Sequence, residues 1–563
     1  MKHTKYLRRT YKCDVRVTDD DVLDALDLVD SAGVVEQMEE YLAQDRAMKG
    51  PGGRRPWLDV RAMWVVLLLS TSRVKSLLKT EMTGFVLHGL TDAARERLGI
   101  VVDKKMYTHP NRAYDRLDRS MTRFLAALDP YPGPRRTKLL RETFEELQKQ
   151  VDPERQAQMQ RRLHDVCTNM LMSTYHRIPE KNLRHYKGDI AVDGTFVPLF
   201  GQKGDYKGSD YCPIEPQAGW HTRTKTNDPK AKVKTEKKAE RVWGMEGTLA
   251  RMVNRDPDSE PVVPQLIVGM ALHKPSTDPG GHAITAIEHL PRHGVPTGRL
   301  VGDRAYGNSP KADVFQKRAR ALGYSLVFDM RRIYLGQTFE DPSGAIILEG
   351  NAYCASIKAY PTLVSASLDH KDEVIDDETY QARLKERARF LLRPLQRPQK
   401  DGSLRVSCPR HSGGVKTPSF EMPPEDEQAP MCSGEQLTAT LKGESWQKHA
   451  MDSSIQYGTK QWDRAYSIPR QAIESANAGL KSEDGMSLEA TGKRRTRGVA
   501  AATIFTALQI TAWNLERLER WLEQDVQVDE RGRTPVLHRV RRRRAHTYGP
   551  ELTPGRRPVV QAA

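Results

Sequence analysis

Two aspartates in this chain each close a short apolar run. Asp193 stands in "GDIAVDGTFVPLFG", residues 188 to 201, and Asp303 in "GRLVGDRAYGN". A buried carboxylate without a partner is expensive, so each needs compensation. At the ends of neighbouring strands the two meet, although 110 positions separate them (303 − 193). Clustered carboxylates repel unless a cation lies between them. Mg²⁺ suits such a place, because it takes hard oxygen ligands from one or two carboxylates and keeps water positions open. A third carboxylate completes a two-metal site, which activates a water or hydroxyl for in-line attack on a phosphodiester. Plainer readings exist for both residues. Asp193 before Gly194 fits a turn, since Asp-Gly is a common turn pair. Asp303 fits a simple ion pair with Arg304.

Glu474 is the best third carboxylate. It lies in "YSIPRQAIESANAGLK", where Tyr466, Arg470 and Lys481 stand at −8, −4 and +7 from it. At about 100° per residue these offsets fall within about 40° of one helix face. Asn477, at +3, borders the same stripe. One face thus carries an acid with two cations, an amide and a phenol, where a core-facing stripe would be apolar. Arg470 suits bidentate contact with a DNA phosphate and Lys481 suits a point-charge contact. Arg304 is a further candidate for DNA contact. Ordinary i,i+4 pairing between Arg470 and Glu474 accounts for part of the pattern.

The elements that must position these groups read as follows. Residues 1 to 180 have apolar residues at helical spacing throughout, including the run "AMWVVLLLS" at 62 to 70. The run is much shorter than the ~20 residues of a membrane span, so it reads as a buried helix. A helical DNA-binding domain and a plain packing bundle both fit this region. From 181 to 330 strands and helices alternate, which indicates an α/β sheet. Residues 331 to 460 break that alternation and read as an insertion, partly β. Residues 461 to 525 return to helix and carry Glu474. The tail from 526 to 563 is arginine-rich and reads as disordered.

Composition narrows the function classes. The chain of 563 residues has 89 basic and 73 acidic residues, a formal charge of +16, which points to a polyanionic partner. The lysine-rich stretch 223 to 241 and the arginine run 541 to 544 suit phosphate contact without sequence readout. Six scattered cysteines indicate a reducing compartment rather than a disulfide framework. The basic start lacks an apolar core, so no secretory signal is expected. Cys408 and His411 in "CPRHSGG", with Cys354 and Cys432, have loose spacing for zinc, and small unliganded residues are the simpler reading. His273 and His282 flank a strand and read as satisfied surface histidines. Trp243 and Trp462 read as core residues, with base stacking as the alternative.

Taken in order, "AVDGTF", "VGDRAYGN" and R-x3-E-x2-N-x2-LK resemble the three catalytic blocks of the DDE transposases of bacterial insertion sequences, the IS4-like group. The resemblance spans residues 50 to 520. It implies an RNase H-like core, a mixed sheet flanked by helices, with a mostly β insertion before the glutamate and an all-helical N-terminal domain. It implies two Mg²⁺ ions on Asp193, Asp303 and Glu474, for which Mn²⁺ can substitute. It further implies metal-dependent nicking of double-stranded DNA at the element's ends and strand transfer to a target. A homodimer on DNA and a bacterial, cytoplasmic, nucleoid-associated location follow, with no membrane partner. The group's third block is usually Y-x2-R-x3-E-x6-K. Here Ser467 stands in the tyrosine's place and Tyr466 comes one residue early. A nuclease that cuts without joining, and an inactive domesticated DNA-binding protein, are the alternatives.

Overall fold

Apolar residues at helical spacing build the N-terminal third. The computed structural model describes residues 11–49, 55–131, 139–200, 211–212, 215–223, 240–255, 261–308, 311–399, 401–409 and 438–525. Helix α1 (Asp19–Ser31) starts on a capping box, Thr18 and Asp21 each bonding the other's backbone N–H. Helix α2 (Val60–Leu69) holds the longest apolar run and is buried from Ala62 to Leu69. No helix among the described residues is long and apolar enough to cross a membrane. Helix α3 (Asn111–Ala126) and helix α4 (Pro153–His176) complete the frame, α4 with proline in its first turn and Asp152 as cap.

One expectation fails here. Residues 1 to 180 are not all helical, because Leu139–Leu140 pairs antiparallel with Tyr211–Cys212. Two residues carry no readable periodicity. They become a strand only because a distant segment lies opposite.

The centre is a six-stranded mixed sheet flanked by helices. Strand β1 (Ile190–Pro198) runs through its middle. Strand β2 (Gly219–Arg223) and strand β4 (Ile267–His273) share the outer edge of strand β3 (Glu240–Met252), and all of these pairings are antiparallel. The inner edge of β3 runs antiparallel along β1, from Ile190 opposite Met252 to Pro198 opposite Gly244. On the far side of β1, strand β5 (Arg299–Gly302) and then strand β6 (Ser325–Phe328) run parallel to it. The core order is therefore β4-β3-β1-β5-β6. Parallel neighbours need crossovers. Helix α5 (Pro279–Ile287) lies between β4 and β5, and helix α6 (Gln316–Ala321) between β5 and β6.

Each face of the sheet has its own core. Ala191, Leu249, Val301 and Val327 join Ile473, Ala476 and Leu480 of helix α7 (Lys460–Lys481), with helix α8 (Val499–Asp525) and the N-terminal helices. Ile190, Val192, Val268, Leu300 and Leu326 join Ala283 and Ile287 of α5 on the other face. Burying one such side chain contributes about 1.5–3 kcal/mol, so these faces decide which way each strand residue points. Asn514 of α8 ties the layers together. Its amide accepts from the Ile267 N–H at 3.0 Å and donates to the Ile267 carbonyl at 2.8 Å and to Thr174 of α4 at 3.0 Å.

The insertion departs from the expected mostly β character. Its described part has six short strands in two antiparallel sheets and four α-helices, the longest Asp377–Arg387. The β pattern is readable in "AIILEGNAY", but the helices form because the sheets present an apolar surface to cover. Leu363 and Trp446 lie in that shared core. Cys354 and Cys408 are buried in it. His411 and Cys432 lie outside the described residues, as do most of the lysine-rich stretch and the whole basic tail.

Candidate active site

The two aspartates lie side by side. Val192 of β1 is in register with Gly302 of β5, so Asp193 and Asp303 are the next residues along adjacent parallel strands. Gly302 is required there, because a Cβ would run into Val192 and the rings of Phe328 and Tyr306. Asp193 shares its sheet face with Ala191 and Val197, the face covered by α7.

Helix α7 delivers the third carboxylate. Thr459 caps its start, and Pro469 within it removes one backbone donor. Arg251 of β3 donates to the Ala472 carbonyl and to the Gln265 carbonyl, which pins α7 to the sheet. Ile473, Ala476 and Leu480 face the core, so Arg470, Glu474 and Asn477 come to Asp193 and Asp303.

The central group is a guanidinium. Arg470 Nη2 donates to Glu474 Oε1 at 2.7 Å. Its Nη1 lies 3.7 Å from Asp193 Oδ1 and 3.8 Å from Asp303 Oδ2. Nη1 is buried and makes no hydrogen bond. Asn477 Nδ2 donates to Asp193 Oδ2 at 2.9 Å, while its own Oδ1 is buried without a partner. Asp303 and Glu474 keep 41% and 51% side-chain exposure, so the cluster opens to solvent on their side.

Electrostatics follow from this crowding. Burial pushes the Asp193 carboxyl up to about 6, and Glu474 and Asp303 add to the rise while Arg470 and the Gly194 N–H oppose it. Burial works against the charge on Arg470, but Asp193, Tyr466, Asp303 and Glu474 together hold its pKa above the ordinary value. The Tyr466 phenol is pushed up to about 12, by burial first, against the pull of Arg470. Tyr466 thus borders the cluster although it stands one residue early. Ser467, in the tyrosine's expected place, donates to Asp463 and is half-buried.

Other expected residues lie elsewhere. Lys481 sits two helical turns past Glu474 and pairs with Glu489 at 3.9 Å. Arg304 is exposed in the turn after Asp303. His273 and His282 stack at 3.6 Å, and His273 bonds Thr248 at 2.9 Å. They are on the α5 side of the sheet, opposite Asp193, because Thr248 and Ala250 alternate with Leu249 on β3. Trp243 is buried against Trp220. Trp462 is half-buried and stacks on Tyr466 at 4.9 Å, with Tyr457 tilted against it at 4.5 Å.

One carboxylate was missed. Gly302 of β5 is in register with Phe328 of β6, so Asp329 ends the third strand in the row. Its Oδ1 accepts from the Tyr457 hydroxyl at 2.8 Å. The signal was present in "YSLVFDM", the same apolar run closed by aspartate. Among the described residues, no group of three or more His, Cys, Asp or Glu is drawn together tightly enough to hold a metal as it stands. The carboxylates surround Arg470 instead. Compared with protein-family models, curated proteins and solved structures, the chain matches none.

Proposed function

We propose that this chain is a DDE transposase, which cuts DNA at the ends of its own mobile element and joins those ends to a target. One observation carries the reading. Carboxylates from β1, from the residue that follows β5 and from a separate helix meet around one guanidinium, the farthest at 3.8 Å. The fold supports it. Three antiparallel strands followed by two parallel ones, with Asp193 on β1 and Asp303 just after β5, agree with an RNase H-like core. The insertion between Asp303 and Glu474 and the excess of basic residues agree with it.

The residues fit a hard divalent ion. Every charged donor is a carboxylate oxygen, the unpartnered Asn477 Oδ1 adds a neutral one, and Mg²⁺ or Mn²⁺ prefers such ligands. Bound there, the ion supplies Lewis-acid stabilisation of a phosphodiester under attack and a more acidic water or hydroxyl. Asp193 and Asp303 offer oxygens from rigid strands, and Glu474 offers one from α7. Asn477 fixes the orientation of Asp193. Arg470, Lys481 and Arg304 supply cations for the phosphates on either side, and Tyr466 borders them. The stacked pair Trp462 and Tyr466 gives aromatic surface beside the site, on which an unpaired base can stack. Joining requires two DNA ends held together, so a homodimer on DNA is expected.

The test uses labelled DNA carrying the element's end, with Mg²⁺ or EDTA, and wild type against Asp193→Ala. Metal-dependent nicking lost in the variant supports the acidic trio, and joined products separate a transposase from a nuclease. Binding without cleavage by wild type refutes the enzymatic reading and leaves a DNA-binding protein.

A further inference from the structure

We propose that Arg470 is a built-in counter-cation for the metal-free site, and that divalent metal must displace its guanidinium to bind. This rests on the reading of Asp193, Asp303 and Glu474 as metal ligands, and deepens it. The guanidinium occupies the point toward which all three carboxylates turn. Three carboxylates and one guanidinium leave two negative charges in a pocket that is half closed. The arrangement is therefore undercompensated, and it attracts a cation of higher charge. A single guanidinium also spreads its donors in a plane, so it holds the carboxylates around its rim rather than drawing them to one point. Only the 2.7 Å bond to Glu474 is short. The contacts to Asp193 and Asp303 are looser, and Nη1 makes no hydrogen bond there. The cation is thus held mainly by charge, which is the kind of hold that a stronger cation breaks.

The exchange has a direction. Two divalent ions carry more positive charge than three carboxylates can neutralise, so a filled site repels the guanidinium that the empty site attracts. Arg470 has a long side chain and an exit toward the exposed Asp303 and Glu474 side. The released group is a bidentate donor at the rim, suited to a phosphate. Metal loading and phosphate capture are then coupled through one side chain. The same arginine that weakens metal binding in free protein strengthens it when DNA is present to take the guanidinium.

The experiment is calorimetric titration of the full chain with Mn²⁺ at about pH 8.5, where carboxylates are ionised. Wild type is compared with Arg470→Gln and Arg470→Lys, each checked by circular dichroism for a folded state. Loss of the competing cation tightens Mn²⁺ binding by about tenfold in Arg470→Gln. Arg470→Lys, which keeps the charge but loses the fork, falls between the two. A short duplex added before the metal tightens wild type and leaves Arg470→Gln unchanged. Mn²⁺ binding that is equal or weaker in folded Arg470→Gln overturns the exchange and leaves the metal site standing. If Arg470→Gln does not fold, equal binding by wild type and Arg470→Lys together with no effect of the duplex overturns it. No Mn²⁺ binding by any of the three proteins removes the metal reading itself, and the exchange with it.

Discussion

Asp193 carries a charge that is costly to the fold, and replacing it with asparagine tests that directly. Its side chain is 17% exposed and its carboxyl is pushed from 3.8 to about 6, first by burial and then by Glu474 and Asp303. The unfolded chain therefore releases this proton near the ordinary value while the folded chain keeps it. Between those values the native state binds more protons, so stability falls as pH rises through the interval. The penalty is complete above the folded value. The gap corresponds to about 3 kcal/mol at neutral pH. Asparagine has the same shape, keeps an oxygen for the Asn477 donor and carries no charge. Asp193→Asn should therefore be more stable than wild type at high pH and similar to it near pH 4. With an unfolding entropy of about 2.1 cal/mol/K per residue, 3 kcal/mol amounts to about 2–3 °C in a chain of this size. The assay is differential scanning calorimetry of both proteins in EDTA, across about pH 4.5 to 8. The difference between them matters, because Asp21 and Asp45 are shifted downward and contribute the opposite slope in both. A melting difference that does not grow with pH, or a variant less stable at high pH, refutes the picture of a desolvated carboxylate cluster.

Further outcomes are expected. Glu474→Gln removes a charged oxygen and the ionic part of the pair with Arg470, and DNA cleavage in Mg²⁺ should fall by more than about a hundredfold while duplex binding in EDTA persists. Asn514→Leu deletes three hydrogen bonds between α8, β4 and α4, and should lower the melting temperature by the equivalent of about 2–3 kcal/mol with one buried backbone pair left unsatisfied. Glu349→Gln in the insertion strips the compensating charge from Arg387, both being fully buried at 2.7 Å, and should cost about 3–5 kcal/mol by chemical denaturation. Replacing that pair with Met and Leu should cost much less than Glu349→Gln, because no unpaired charge remains.

The acidic trio was legible because of what strands and helices do to side chains. An aspartate at the end of an apolar run stands out against a buried environment, and that contrast marked Asp193 and Asp303. The offsets along α7 put Arg470, Glu474 and Asn477 on one stripe before any fold was known. The alternation of strand and helix after residue 181 announced the α/β sheet, and the helical spacing of the N-terminal third held apart from the two leucines at 139 and 140.

Tertiary structure alone decided how these parts meet. Whether Asp193 and Asp303 touch depends on parallel pairing of β1 with β5 in the register that sets Val192 beside Gly302. No local pattern encodes that register. It is selected when both sheet faces find their cores, since a slip of one residue would turn Val192 and Val301 the wrong way. Asp329 carried the same sequence mark as the other two and gained its meaning only from that row of strands. Arg470 was readable as a phosphate contact or as an i,i+4 partner of Glu474. Its position among three carboxylates comes from Asp193, 277 positions away (470 − 193), and from Asp303. A charged side chain settles where the summed field of its neighbours is lowest, and those neighbours are brought by the fold.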